Sequence, residues 1–205
     1  MGLHNTGERW GSLAKALHWI MAILIIGLAV VGVFMANFTG WWHSDMLDAT
    51  TLRVDLTQQH KSFGFVVFVL ACIRVLWRWV SPAVPELEYG TPGWQRLLVN
   101  STHYGMYILM FALPLSGWLM SSASPLNDLD AYPAQIENMV FGLFAMPDLF
   151  PTGDRDLAAI FRMIHEYTGY ALAFLLLAHI GGVLYHHFIL RDSVLTRMLP
   201  FGRSR

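Results

Sequence analysis

The sequence predicts an all-α fold, an integral membrane four-helix bundle with both termini cytoplasmic. Three observations carry this. Of 205 residues, 55% are hydrophobic and only 13% charged, with a mean hydropathy of +0.46, too apolar for an ordinary soluble domain. The apolar residues gather into four runs, at 14–36, 57–80, 97–121 and 161–188, and about 20 apolar residues in a helix suffice to span a bilayer. Open strands cannot cross lipid and the runs lack two-residue alternation, so all four read as helices.

Each run is justified in turn. The first is too long for the core of a signal peptide and is followed by no small-x-small cleavage pattern, so it reads as a retained span. The second ends at Ser81-Pro82, and the third begins after Pro92-Gly93, where proline and glycine punctuate the chain. The fourth is the longest. No internal repeat or low-complexity tract interrupts the chain, so residues 1–205 form one domain.

Orientation follows the lysines and arginines. Arg9, Lys15, Arg74, Arg78, Arg96, Arg191, Arg197, Arg203 and Arg205 fall on the side of the termini. Only Arg53, Lys61, Arg155 and Arg162 fall on the other. Both termini are therefore expected in the cytoplasm of a bacterium, and the first and third connections in the periplasm. Trp41, Trp42, Trp77, Trp79 and Trp94 fall near the expected interfaces, where amphipathic rings gather.

Several function classes are excluded. The formal net charge is −1, which offers nothing to nucleic acid. Cys72 is the only cysteine, which rules out an intrachain disulfide, a cysteine-ligated iron–sulfur cluster and a C-x-x-C-H haem attachment site. No G-x-G-x-x-G fingerprint or P-loop occurs. Oligomeric state leaves no mark in the sequence.

The nine histidines carry the functional signal. His165 and His179 lie fourteen residues apart in one apolar run. That is close to four helical turns, so both imidazoles share a face, roughly 21 Å apart along the axis. His179 is deep in its span, and intramembrane ionisable groups are costly and usually functional. By depth, His60 matches His165 on the periplasmic side, and His18 suits the cytoplasmic site. Two six-coordinate haems in a four-helix bundle need four inward histidines at two depths, and imidazole is a common haem ligand. With no covalent attachment site, these haems are b-type. His186 lies seven residues after His179, on nearly the same face, and by geometry it matches His18 as well as His179 does. Arg74 follows His60 by fourteen residues and is placed to pair with a haem propionate. His4 and His43 lie outside the spans and are given no metal role.

Rival classes have less support. A non-redox transporter would place carboxylates within its spans, and Glu166, at a helix start, is the only one near a span interior. A retinal pigment would need an intramembrane lysine. A zinc site would need closer ligands than His165 and His179.

With these residues placed, the chain resembles the bacterial cytochrome b561 family, whose members include superoxide oxidases. The matching stretches are Ala16-Leu17-His18-Trp19, His60 with Gly64, Arg74 with Arg78, and His103 with Ala112-Leu113-Pro114. Phe141-Gly142-Leu143 with Met146-Pro147, His165-Glu166 with Gly169-Tyr170, and His179 with His186-His187 complete the ordered set. The resemblance implies a four-helix protein with two haem b groups that exchanges electrons with membrane quinone. It implies His18 with His179 as axial ligands of the cytoplasmic haem iron, and His60 with His165 for the periplasmic haem. His186 is then released for another task.

The expected path runs from a periplasmic-side redox donor, or superoxide, through the two haems to quinone within the lipid bilayer of the inner membrane. Quinone reduction consumes protons, and imidazole titrates near neutral pH. His186 is the first candidate to protonate quinone, with Trp19 as a ring contact; His187 and His103 lie near the same boundary. The alternative within the class is a cytochrome b subunit that anchors a docked redox partner. The first connection (37–60) carries a net −2 and the third (121–162) a net −4. With Lys61 added, this acidic face slows capture of an anion unless Lys61, Arg155 or Arg162 focuses it locally, and it equally suits a basic protein donor.

Overall fold

The computed structural model describes residues 2–37, 47–83, 85, 91–124, 138–150 and 153–200, and within 47–53 the backbone alone. Trp41, Trp42, His43, Asp45, Asp128, Asp130, Glu137, Arg203 and Arg205 lie outside the described residues, as do the side chains of Asp48 and Arg53. Four long helices run from Ser12–Asn37 (α1), Leu47–Val80 (α2), Gly93–Ser122 (α3) and Arg155–Tyr185 (α4). A two-residue-per-strand hairpin, Met139–Val140 (β1) and Phe144–Ala145 (β2), precedes α4. A π-helical turn, His186–Leu190, and a short helix, Val194–Met198 (α5), follow it.

All four long helices contain a stretch apolar and long enough to cross a membrane: Ser12–Asn37, Val54–Val80, Gly93–Ser122 and, with the π turn, Arg155–Leu190. Their outer surfaces are apolar and open, as with Ile23, Phe174 and Leu177, each 70% exposed. In water that would be an interaction liability; in lipid it is the expected solvation.

Two boundaries differ from those expected. The second helix begins ten residues before position 57, because Leu47–Leu56 contains no helix breaker although it is too polar to be read as a span. The fourth begins at Arg155 rather than 161. There the Asp154 carboxylate accepts the N–H groups of Asp156 and Leu157, both at 3.0 Å, satisfying donors that open a helix.

The chain packs as two compact units. Unit 1 comprises Met1–Ile23, Val69–Leu109 and Ala171–Arg205; unit 2 comprises Leu24–Phe68 and Met110–Tyr170. Each long helix therefore gives one segment to each.

In unit 1 the N-terminal segment is pinned by polar side chains. Asn5 donates its backbone N–H to Ser81 Oγ (2.9 Å) and its side-chain amide to Ser81 O (3.1 Å). Gly11 donates to Asn5 Oδ1 at 2.9 Å. A Cβ at Gly11 would stand 2.2 Å from Leu3 O, so no larger residue fits. His4 stacks on Trp77 with ring centroids 5.0 Å apart. Trp77 is thus half-buried, unlike Trp79 and Trp94, which face outward as expected of interfacial rings.

In unit 2 the three-residue hairpin loop 141–143 turns at Phe141 (φ 50°) and Gly142 (φ 69°), both left-handed, and is closed by the bond from Leu143 N to Val140 O at 2.9 Å. A phenylalanine is unusual there. It is held by its N–H on Ser62 Oγ (2.9 Å) and by its ring edge against Phe63 (5.1 Å).

Candidate functional site

The histidines meet in two groups, one in each unit. In unit 2, His60 of α2 and His165 of α4 face each other with ring centroids 6.3 Å apart and planes at 78°. His165 reaches this position because its Nδ1 hydrogen-bonds the Leu113 carbonyl of α3 at 3.0 Å, with Ser116 Oγ 3.2 Å away. With Nδ1 as the donor, Nε2 is left with a lone pair for a metal. Gly117 lets the ring lie against α3: a Cβ there would be 3.0 Å from His165 Cε1. His60 is packed beside Gly32 of α1, whose Cβ would be 3.5 Å from His60 Cε1. Its Nδ1 is buried and has no hydrogen-bond partner among the described residues.

In unit 1, His18 of α1 and His179 of α4 stand with ring centroids 6.2 Å apart and planes at 58°. His103 of α3 lies closer to His179, at 5.1 Å and nearly perpendicular. Its Nδ1 is engaged by Val99 O, four residues back, at 2.6 Å. Arg74 of α2 is within electrostatic reach of both His18 and His179. Its Nε donates to Tyr107 Oη at 3.2 Å, and its guanidinium sits 5.7 Å from the Tyr107 ring centre. Gly105 allows α3 to approach α4, since a Cβ would meet Leu175 Cδ1 at 2.7 Å.

Distance tests what these pairs can hold. A metal–nitrogen bond of about 2 Å on each side, plus roughly 1 Å from each nitrogen to its ring centre, puts two axial imidazole centroids about 6 Å apart. His18 with His179 and His60 with His165 both fit one haem iron between them. His103 with His179 is too close for that, so it reads as a packed neighbour. Both pairs have the donor chemistry of a bis-histidine haem, and the Nδ1 of His60 is unsatisfied among the described residues.

His186 is not in this group. It is buried, and its Nδ1 hydrogen-bonds the Asp192 carboxylate. Trp19 lies edge-on to His18 at 5.3 Å, and its Nε1 donates to Met198 O of α5 at 2.9 Å. Its ring, but not its N–H, remains available to a ligand. Lys15, one turn earlier, donates to Leu199 O at 3.0 Å. Lys61 is half-buried and donates to Asn138 Oδ1 (2.9 Å) and Ser121 Oγ (3.3 Å), while Asn138 in turn donates to Asp148. It is therefore tied into a network rather than standing out as a free cation. Glu166 accepts from Tyr170 Oη at 2.9 Å on an exposed face.

Sequence reasoning missed Tyr107, which lies four residues after His103 on the same helix face, and Asp192, which lies beyond the last apolar run. The first was readable from i, i+4 spacing; the second had no signal in a regular helix.

Comparison with known proteins followed the same lines. The family described as prokaryotic cytochrome b561 matches residues 9–201. The chain is 33% identical to cytochrome b561 homolog 2 of Escherichia coli (strain K12), over all of this chain and 97% of that protein. It is 27% identical to cytochrome b561 homolog 1 of the same organism, over 94% of this chain and 98% of that protein. It is 24% identical to the probable superoxide oxidase CybB of Yersinia pestis, over 96% of this chain and 99% of that protein.

Proposed function

The chain belongs to the prokaryotic cytochrome b561 family, and from that premise we propose that it is a two-haem inner-membrane cytochrome that passes electrons from a periplasmic-side donor to membrane quinone. The observation that carries this reading is the pair of imidazole couples at 6.2 and 6.3 Å, one in each unit. His18 and His179 would hold the cytoplasmic haem, and His60 and His165 the periplasmic one. Haem iron, when bound, would supply one-electron transfer without making or breaking bonds to substrate, and a pair of histidines holding it would suit that task.

The protein's own groups set the conditions. The Leu113 carbonyl fixes the tautomer of His165 and raises its basicity as a ligand. Arg74, oriented by Tyr107, places a cation where a propionate would need one. His186 supplies a proton to reduced quinone, and Trp19, edge-on to His18, offers a ring contact.

The donor follows from the outer face. Lys61 is engaged by Asn138 and Ser121, and the outer connections are acidic. That net acidity favours a basic protein donor over an anion such as superoxide. This departs from the activity in the name of the Yersinia pestis relative, which is 24% identical.

An absorption spectrum of detergent-purified protein tests the core claim. Reducible b-type bands with two haems per chain are expected. A colourless preparation, made with ample haem, would overturn it. Assay with superoxide and a soluble quinone then separates the donors: little quinol is expected from superoxide, and rapid quinol formation would reverse the donor assignment.

A further inference from the structure

The end of α4 departs from regular geometry in a way that creates a second chemical feature. In a continuous α-helix, residues six apart lie about 240° apart around the axis and cannot touch. Here His186–Leu190 forms a π turn and Arg191 adopts a left-handed conformation (φ 56°, ψ 33°). The chain doubles back, and Asp192 N donates to His186 O at 3.2 Å. Asp192 thereby sits beside the imidazole of the residue that opens the turn. Its Oδ2 accepts the proton of His186 Nδ1, and its Oδ1 accepts the N–H of Val194 at 3.0 Å, fixing the carboxylate from both sides. Both side chains are nearly buried, at 10% and 6% exposure. Single π turns are frequent at functional sites.

We propose that Asp192 is the positioning residue of a proton-donating pair with His186, holding Nδ1–H so that Nε2 alone faces the quinone. The proposal rests on the reading of the chain as a quinone-reducing cytochrome. Nε2 of His186 has no hydrogen-bond partner among the described residues. The other ring at this imidazole is Tyr185, edge-on at 6.2 Å. Trp19 and Lys15 lie on the far end of the same C-terminal segment, bonded to Met198 and Leu199.

The step balances as follows. A quinone becomes a quinol by taking two electrons, supplied through the cytochrome from its periplasmic donor, and two protons. His186, charged and paired with Asp192, gives its Nε2 proton to one quinone oxygen and keeps Nδ1–H on the carboxylate. The other quinone oxygen takes its proton from water, and water on the cytoplasmic side returns a proton to Nε2. Asp192 stabilises the charged imidazole and selects its tautomer, a role that a carboxylate behind a catalytic histidine commonly performs.

Asp192→Asn tests this in the haem-loaded, full-length protein. Asparagine keeps an oxygen to cap Val194, but it turns an amide donor towards Nδ1 and so favours the opposite tautomer. The expected result is an unchanged b-type spectrum, unchanged haem content, and an unchanged rate of electron transfer to ferricyanide, which needs no proton. Reduction of a soluble quinone should slow roughly 10- to 100-fold. Asp192→Glu should recover part of that loss, and Asp192→Asn added to His186→Ala should cost little more than His186→Ala alone. If the asparagine variant does not accumulate, Asp192→Ser keeps a capping oxygen without a carboxylate and serves the same comparison. A haem-loaded wild type that reduces no quinone would remove the underlying reading and this pair with it. With an active wild type, quinone reduction unaffected by Asp192→Asn would overturn the pair alone, and so would a parallel fall in the ferricyanide rate.

Discussion

Replacing Gly117 with alanine adds one methyl group directly beside the His165 ring, at the site proposed for the periplasmic haem. The new Cβ would lie 3.0 Å from Cε1 and 3.2 Å from Nδ1 of His165. Comfortable contact between carbon atoms begins at about 3.5 Å, so the imidazole must retreat by roughly 0.5 Å. It cannot do so freely. Its Nδ1 is bonded to Leu113 O at 3.0 Å, and the same retreat stretches that bond to about 3.5 Å, the edge of useful geometry. Overpacking of this kind costs about 1–3 kcal/mol, equivalent to roughly 5- to 150-fold in haem affinity at that one site. Titrating haem into the purified variant at limiting concentration, with EPR to distinguish the two low-spin signals, measures it. The signal from the His60–His165 haem should weaken or shift, and the His18–His179 signal should persist. Gly27→Ala is the control, because a Cβ at Gly27 meets nothing within 4 Å. A Gly117→Ala protein that binds both haems with wild-type affinity and unchanged g-values would refute the argument.

Other outcomes follow from the same distances. His179→Ala should remove one haem, whereas His103→Phe should retain both, because 5.1 Å between ring centres is too short for a shared iron; haem-to-protein ratios decide this. Arg74→Gln removes a cation near the His18–His179 pair and should lower the midpoint potential of that haem by tens of millivolts, where roughly 60 mV corresponds to tenfold in a one-electron equilibrium; redox titration followed optically measures it. Asp154→Ala removes the N-cap of α4 and should cost about 1 kcal/mol, lowering the thermal midpoint without changing the spectrum.

The long helices were legible because lipid imposes a strong demand on composition, and all four apolar runs fall within observed helices. Their starts were less legible, since the polar stretch ahead of position 57 continues the helix without the apolarity that marks a span. The proposed pairing of His60 with His165 and of His18 with His179 comes from depth and resemblance; in the structure the ring centroids of these pairs are 6.3 and 6.2 Å apart. The competition between His179 and His186 was illegible to helical periodicity, because seven residues of regular helix leave both on nearly one face. What periodicity could not announce is the contact of His186 with Asp192, which depends on the π turn and the left-handed Arg191 that follow it. The engagement of Lys61 was illegible because its partner, Asn138, lies 77 positions away, and no local pattern announces such a contact.

The bonds from Lys15 and Trp19 to the carbonyls of Leu199 and Met198 join residues 184 and 179 positions apart. They set an order of events in biosynthesis. The first helix enters the membrane while the groups that fasten it are still unmade, and at about 5–20 residues per second their synthesis takes roughly 10–40 s more. During that interval the buried ammonium of Lys15 must be solvated by lipid headgroups or water. The half-site around His18 is therefore closed by a segment made long after the helix that carries it. A chain cut just ahead of Met198 would lose that closure while keeping every histidine assigned to haem.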